Sequence, residues 1–182
     1  MKTWIVLLTF SACISTISAQ DEFPAAWIGT YAGDLYMEYP GGIRDTVPVT
    51  FDFLPTAAPG RWTYKVAYFS KKRGTLIKDY ELFQPDSLKN SRHYILDEKD
   101  GILIDEILMN GQLMASFEVD HNLFISTLQK TATGLYMEIR CIAPGKGISS
   151  TSVPDDKGQA YTVNSGLAYT IQYTHLQRTP KK

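Results

Sequence analysis

The residues of this chain with the most chemistry to offer are tyrosines and one histidine, spaced at every second position. Tyr64 and Tyr68 alternate with Trp62 and Val66 on one face of a run. Tyr80 shares a face with Leu76, Lys78 and Leu82. Tyr169, Tyr173 and His175 share one with Leu167 and Ile171, and Tyr31 falls on the face Trp27, Gly29, Tyr31, Gly33, Leu35, Met37, Tyr39. A phenol is a large apolar ring with a polar tip that needs a partner once buried. Many phenols on inward faces therefore describe one of two interiors. Either the hydroxyls pair with each other, with backbone or with a few waters in a filled core, or they line a wet cavity that takes a small ligand. The ligand-binding set expected here is Tyr31, Tyr64, Tyr68, Tyr80, Tyr169, Tyr173 and His175. A lone inward imidazole is by default a satisfied core or rim residue. The other chemistry open to His175 is axial ligation of haem iron, which needs one neutral imidazole in an apolar pocket.

Other chemistry has no signature. There is no nucleophile elbow, no Cys/His/Asp set, no phosphate loop and no cluster with metal-ligand spacing, so a non-enzymatic protein without a metal site is expected. Asp97, Glu98, Asp100, Asp105 and Glu106 gather around one hairpin, but without the alternation of carboxylates, Gly and Glu of a calcium loop. They read as solvated turn charges, as does Lys71-Lys72-Arg73. His93 and His121 lie near turns, too far apart for a motif. Cys141 reads as a small inward hydrophobe.

The elements that would position these residues are strands. From Trp27 to Pro40 the period is two, and the same holds for Val47 to Leu54, Trp62 to Phe69 and Leu76 to Leu82. Pro48 has no N–H, which places its part of the second strand at an edge, bulge or rim. Asp100-Gly101 and Asn110-Gly111 lie between apolar runs and signal hairpins. Runs at Arg92 to Asp97, Ile102 to Leu108, Leu113 to Val119, Leu123 to Gln129 and Leu135 to Cys141 follow. Ala143 to Gln159 is the one long break, and its Pro144 to Gln159 portion is a candidate portal flap. A last strand runs from about Tyr161 to Arg178, with a candidate bulge at Asn164-Ser165-Gly166. About ten strands joined by short turns are antiparallel neighbours, and closing them removes the exposed edges. The expected fold is all-β, a single up-and-down antiparallel meander barrel of about 8–10 strands. A two-sheet sandwich would need more long crossovers. A membrane-spanning barrel would need an apolar outside and a polar lumen.

The N-terminus reads as an export signal: Lys2, the apolar run Trp4 to Phe10, small residues to Ala19, and a cut before Gln20. Residues 1–19 are thus expected as signal peptide and 20–182 as one barrel domain, secreted or periplasmic. Ser11-Ala12-Cys13 offers an alternative, a lipobox with Cys13 lipidated, and only this route implies membrane association. Cys141 is then the one remaining cysteine, so no intrachain disulfide is expected. A formal net charge of −1 over 182 residues gives no reason to expect nucleic acid as a partner.

An aromatic near a Gly on the first strand (Trp27-x-Gly29, then Gly29-Thr30-Tyr31), followed by a β meander, resembles the calycin group, the lipocalins and fatty-acid-binding proteins. The likeness is architectural. A narrower similarity is to the nitrobindins, ten-stranded haem barrels, through Gly29, Thr30, Tyr31, Gly33, Glu38, Tyr39 and Pro40, and through His175-Leu176 near the C-terminus. Tyr31 stands where those proteins carry Trp, and Leu35 and Met37 stand where they carry glycines. The first likeness implies a small hydrophobic or amphipathic ligand in the Tyr-rich interior. The second implies haem held by His175. A third expectation is a protein-interaction or inhibitor scaffold with no ligand.

Overall fold

The computed structural model describes residues 23–42, 44–89 and 91–180, Arg44 by its backbone alone. The expected signal peptide, its cut after Ala19 and the alternative at Cys13 lie outside the described residues. Ten strands close into one antiparallel barrel. They are β1 (Gly29–Glu38), β2 (Arg44–Phe53), β3 (Arg61–Ser70), β4 (Gly74–Phe83), β5 (His93–Asp97), β6 (Leu103–Met109), β7 (Gln112–Val119), β8 (Asn122–Lys130), β9 (Gly134–Ala143) and, after an excursion, β12 (Leu167–Arg178). The excursion is a separate two-stranded hairpin, β10 (Ser149–Thr151) with β11 (Thr162–Asn164). Neighbours in sequence are neighbours in the wall, and β12 closes the ring between β9 and β1. The up-and-down expectation holds, with ten strands.

The turns explain the tightness of the meander. Asn110 and Gly111, at φ 49° and 71°, occupy the left-handed region that a two-residue hairpin demands, and Asn and Gly enter it at least cost. Pro48 sits where its missing N–H does least harm. It pairs with Asp34 of β1, while the ladder of β2 to β3 begins one residue later, at Val49.

Side-chain alternation sorts the wall into two faces. Inward are Leu35, Val49, Phe51, Phe53, Val66, Leu82, Leu96, Ile104, Leu113, Leu128, Leu135 and Leu176, all buried. Outward at mid-strand are Asp34, Asp52, Lys65, Glu138 and Arg140. Charges thus stand on the outer face among exposed apolar side chains such as Ile77, Leu103 and Met109.

The two ends differ. At one end the chain enters through a 3₁₀ turn, Ala25–Trp27, that pushes Trp27 into the barrel. Phe23, Trp27, Phe53, Trp62 and Tyr94 meet there with ring centroids 4.8–6.5 Å apart. Ten strands make a wider tube than the eight that side chains just fill, and this end is filled by its largest rings. We call it the base. At the other end, the mouth, stand the β1–β2, β3–β4, β5–β6 and β7–β8 turns and the excursion that carries β10 and β11.

Candidate functional site

Toward the mouth the inward residues are smaller or better separated. Met37, Tyr64, Tyr68, Tyr80, Phe117, Phe124, Ser126, Ile139 and Gln172 all face inward yet are only half-buried. Inward side chains that keep accessible surface over several neighbouring strands mark a region where the interior is incompletely filled. The mouth half of the barrel is therefore less tightly filled than the base, and we call it the cup.

Its two sides differ chemically. Tyr64 and Tyr68 on β3 and Tyr80 on β4 present phenols. Five strands away around a ring of ten, β8 lies opposite β3, and there Phe124 stacks on Phe117 of β7 at 5.5 Å. Phe51 carries the aromatic packing of the base up to Tyr64, at 4.8 Å edge to face. Burial raises the Tyr64 phenol well above its ordinary value, with the nearby Glu106 charge adding to the effect. Tyr68 is pushed up to about 12 by burial. The Tyr80 phenol is raised too, by burial first and then by the charge of Glu98, to whose carboxylate its hydroxyl donates. All three are neutral donors across the physiological range.

At the floor of the cup lies Glu106, 3 % exposed, between Ile104 and Leu108 on the inward face of β6 and paired across the ladder with Tyr94. Desolvation pushes its carboxyl up to about 8. Its carboxyl joins no side-chain hydrogen bond among the described residues, where the one fully sealed side-chain polar atom without a partner is Thr174 Oγ1. The Glu106 oxygens therefore face the lumen. This corrects the expectation of a solvated turn charge. Asp105 does behave that way, on the outer face with His93 Nε2 at 2.6 Å. One position of alternation separates the two acids, and only the register fixed by the Asp100-Gly101 turn says which points in.

The expected ligand-binding residues divide accordingly. Tyr64, Tyr68 and Tyr80 converge in the cup. Tyr31 is buried in the base, where its hydroxyl donates to Trp27 O at 2.6 Å and accepts from Arg178 Nη2 at 3.0 Å. It pins the 3₁₀ turn and does not line the cup. Tyr169 stands near the mouth, its Oη accepting from Cys141 Sγ at 2.7 Å. Tyr173 and His175 are outside. Tyr173 stacks on Tyr36 at 5.5 Å, and the exposed His175 lies 5.0 Å from the ring of Tyr136. The cause is a bulge between Ala168 and Thr170. One extra residue reverses the alternation, so that Gln172, Thr174 and Leu176 point in instead of Ile171, Tyr173 and His175. No histidine among the described residues therefore faces the lumen to hold haem: His175 is outward, His93 is bonded to Asp105 outside, and His121 is in an exposed turn.

Access has two candidate routes. One is the open mouth itself. The other is a lateral notch, because β4 pairs with β5 at only three positions, Glu81, Leu82 and Phe83. Above them the β3–β4 hairpin rises alone, tied to the β5–β6 turn by Lys99 Nζ to Asp79 Oδ1 at 3.2 Å. Tyr80 and Glu98 flank this notch. Two further recesses lie outside the cup. One, of ≈ 430 Å³, lies at the base between Ala25, Ala26, Tyr31, Arg178 and the β8–β9 turn. The other, of ≈ 330 Å³, lies between Asp34, Asp45, Pro48 and the β3–β4 turn.

No protein-family model, curated protein or solved structure matches this chain.

Proposed function

We propose that the barrel is a non-enzymatic carrier that holds one small amphipathic molecule in its cup, phenols on one side and the Phe117–Phe124 pair on the other. The observation that carries this reading is the half-burial of inward side chains toward the mouth, above a base packed by six aromatic rings. A closed ten-stranded meander with such an interior is consistent with a calycin-like barrel, an architecture that commonly encloses a ligand. Export to the periplasm or the cell exterior belongs to the same proposal, and so does a gating role for the segment from Pro144 to Gln159. The test is titration with N-phenyl-1-naphthylamine, a neutral apolar fluorophore. Saturable one-to-one binding that is lost in Ser126→Trp, which fills the lumen beside Phe124, is the expected result. Absence of saturable binding, or binding that survives Ser126→Trp, overturns the cup as a binding site.

A second reading has its own observation. The β10–β11 hairpin and its flanks hold Ile148, Val153, Tyr161 and Val163 in solvent, the first two 78 % and 86 % exposed. Apolar side chains gathered on one protruding element suit contact with a protein partner. Deletion of the hairpin separates the readings: a carrier keeps its fluorophore binding, whereas an interaction scaffold loses its partner.

A further inference from the structure

Glu106 does not fit a simple container for apolar molecules. A carboxyl largely withdrawn from water, with no side-chain hydrogen-bond partner among the described residues, is a costly group to keep, and it stands at the floor of the cup. We propose that Glu106 is the anchor for the cationic head of an amine whose aromatic or aliphatic body lies against Phe117 and Phe124. The inference rests on the cup being the binding site and adds the charge class of what it takes.

The groups around the carboxyl favour a cation over an anion. Tyr64 and Tyr68 on β3, Tyr80 on β4 and Tyr94 on β5 bring phenols, whose faces attract cations and whose hydroxyls can share hydrogen bonds with an ammonium. Glu98 and Asp100, in the turn above, add negative potential at Tyr80. From β7, Leu113 and Ala115 bring no charge. The inward-facing cation nearby, Lys78, is exposed at the mouth with Nζ 5.5 Å from the Tyr80 ring centroid, so the phenol wall already holds one ammonium at its upper edge. Lys78, at the upper edge, is the one cation among these groups, and the groups beside Glu106 itself bring only phenols and apolar side chains. An arriving ammonium supplies the counter-charge that Glu106 lacks, and the burial that holds the carboxyl near 8 is the condition a paired cation reverses.

The test compares three indole probes of one shape by displacement of N-phenyl-1-naphthylamine and by calorimetry: tryptamine, the matching alcohol tryptophol, and indole-3-propionate. On the unaltered protein, tryptamine is expected to bind about tenfold or more tighter than tryptophol, the magnitude of a hydrogen bond to a charged group, with indole-3-propionate weakest. Glu106→Gln, nearly the same shape, is expected to bring tryptamine down to the level of tryptophol while tryptophol stays within about twofold. Equal binding of amine and alcohol, tighter binding of the carboxylate, or an amine preference that survives Glu106→Gln overturns the proposal. The ranking on unaltered protein decides even if the variant fails to fold. If the fluorophore binds but none of the three indoles displaces it, the amine proposal fails and the cup stands. If the fluorophore does not bind at all, both fail.

Discussion

The base and the mouth of this barrel use the same strands and opposite packing. At the base, Phe23, Trp27, Phe51, Phe53, Trp62 and Tyr94 interlock, and Arg178 ties the entering chain to the wall through Ala26 O at 3.1 Å and Tyr31 Oη. Toward the mouth, Ser126, Gln172 and Met37 face inward and are only half-buried, and Glu106 lies at the floor of the cup. Stability is concentrated where the rings are. The comparison teaches that one wall can supply a rigid plug and a receptive cup, divided by which inward residues are large. The mouth can then vary its chemistry without threatening closure.

Loss of a base ring is the strongest way to challenge that division. Phe51→Ala removes a fully buried ring that touches Tyr31, Phe53 and Tyr64. We expect a loss of about 3–5 kcal/mol in urea unfolding. Phe117→Ala in the half-open cup should cost only about 1–2 kcal/mol, because its ring is already partly in contact with the lumen. Equal losses would mean that the two ends are packed alike.

Glu106 gives the cup a cost that varies with pH. Its carboxyl is raised from the ordinary 4.5 to about 8 in the folded chain, so between these values the folded state binds a proton that the unfolded state has released. The stability is fully present below about pH 4.5 and is lost as pH rises through about 8. At about 1.4 kcal/mol per pH unit, and allowing for water in the open cup, the loss should reach about 2–3 kcal/mol. Glu106→Gln is expected to remove that slope and to be the more stable protein at pH 8. An unchanged slope in the variant would place the responsible group elsewhere.

Tyr31→Phe tests the tie at the base. The hydroxyl links Trp27 O to Arg178, and its loss leaves the donor of Arg178 and a buried carbonyl short of a partner. The expected cost is about 1–2 kcal/mol in the same unfolding assay, with fluorophore binding unchanged. A fall in binding without a fall in stability would return Tyr31 to the ligand site.

Much of the wall is legible from residue types alone. Period-two runs, Asn110-Gly111, Asp100-Gly101 and Pro48 each state a local rule that the backbone obeys. The height of a residue along the barrel is not legible, because it depends on the stagger between strands. Tyr31 and Tyr64 look equivalent in sequence, yet one is sealed in the base and the other opens on the cup. The face of Glu106 is equally concealed. Ile104, Glu106, Leu108 and Leu103, Asp105, Ile107 are near-identical alternations, and only pairing with Tyr94 and Leu96 chooses between them. Of the seven residues named by type, three tyrosines face the cup, and its buried acid reads as a turn charge.

The last strand shows how much a single residue can hide. Without the bulge, the alternation from Leu167 would carry Tyr173 and His175 inward. With it, Thr174 is inside and sealed, its Oγ1 lacking a partner among the described residues, and His175 is outside. Adjacent substitutions read this reversal directly. Thr174→Val keeps the shape and removes an unsatisfied hydroxyl, so it should stabilise the barrel by about 1 kcal/mol. His175→Ala, on the exposed face against Tyr136, should change stability by less than about 0.5 kcal/mol and leave fluorophore binding untouched. If instead His175→Ala were the costly change and Thr174→Val the silent one, β12 would run without the bulge. The haem reading of His175 would then have the inward imidazole it needs.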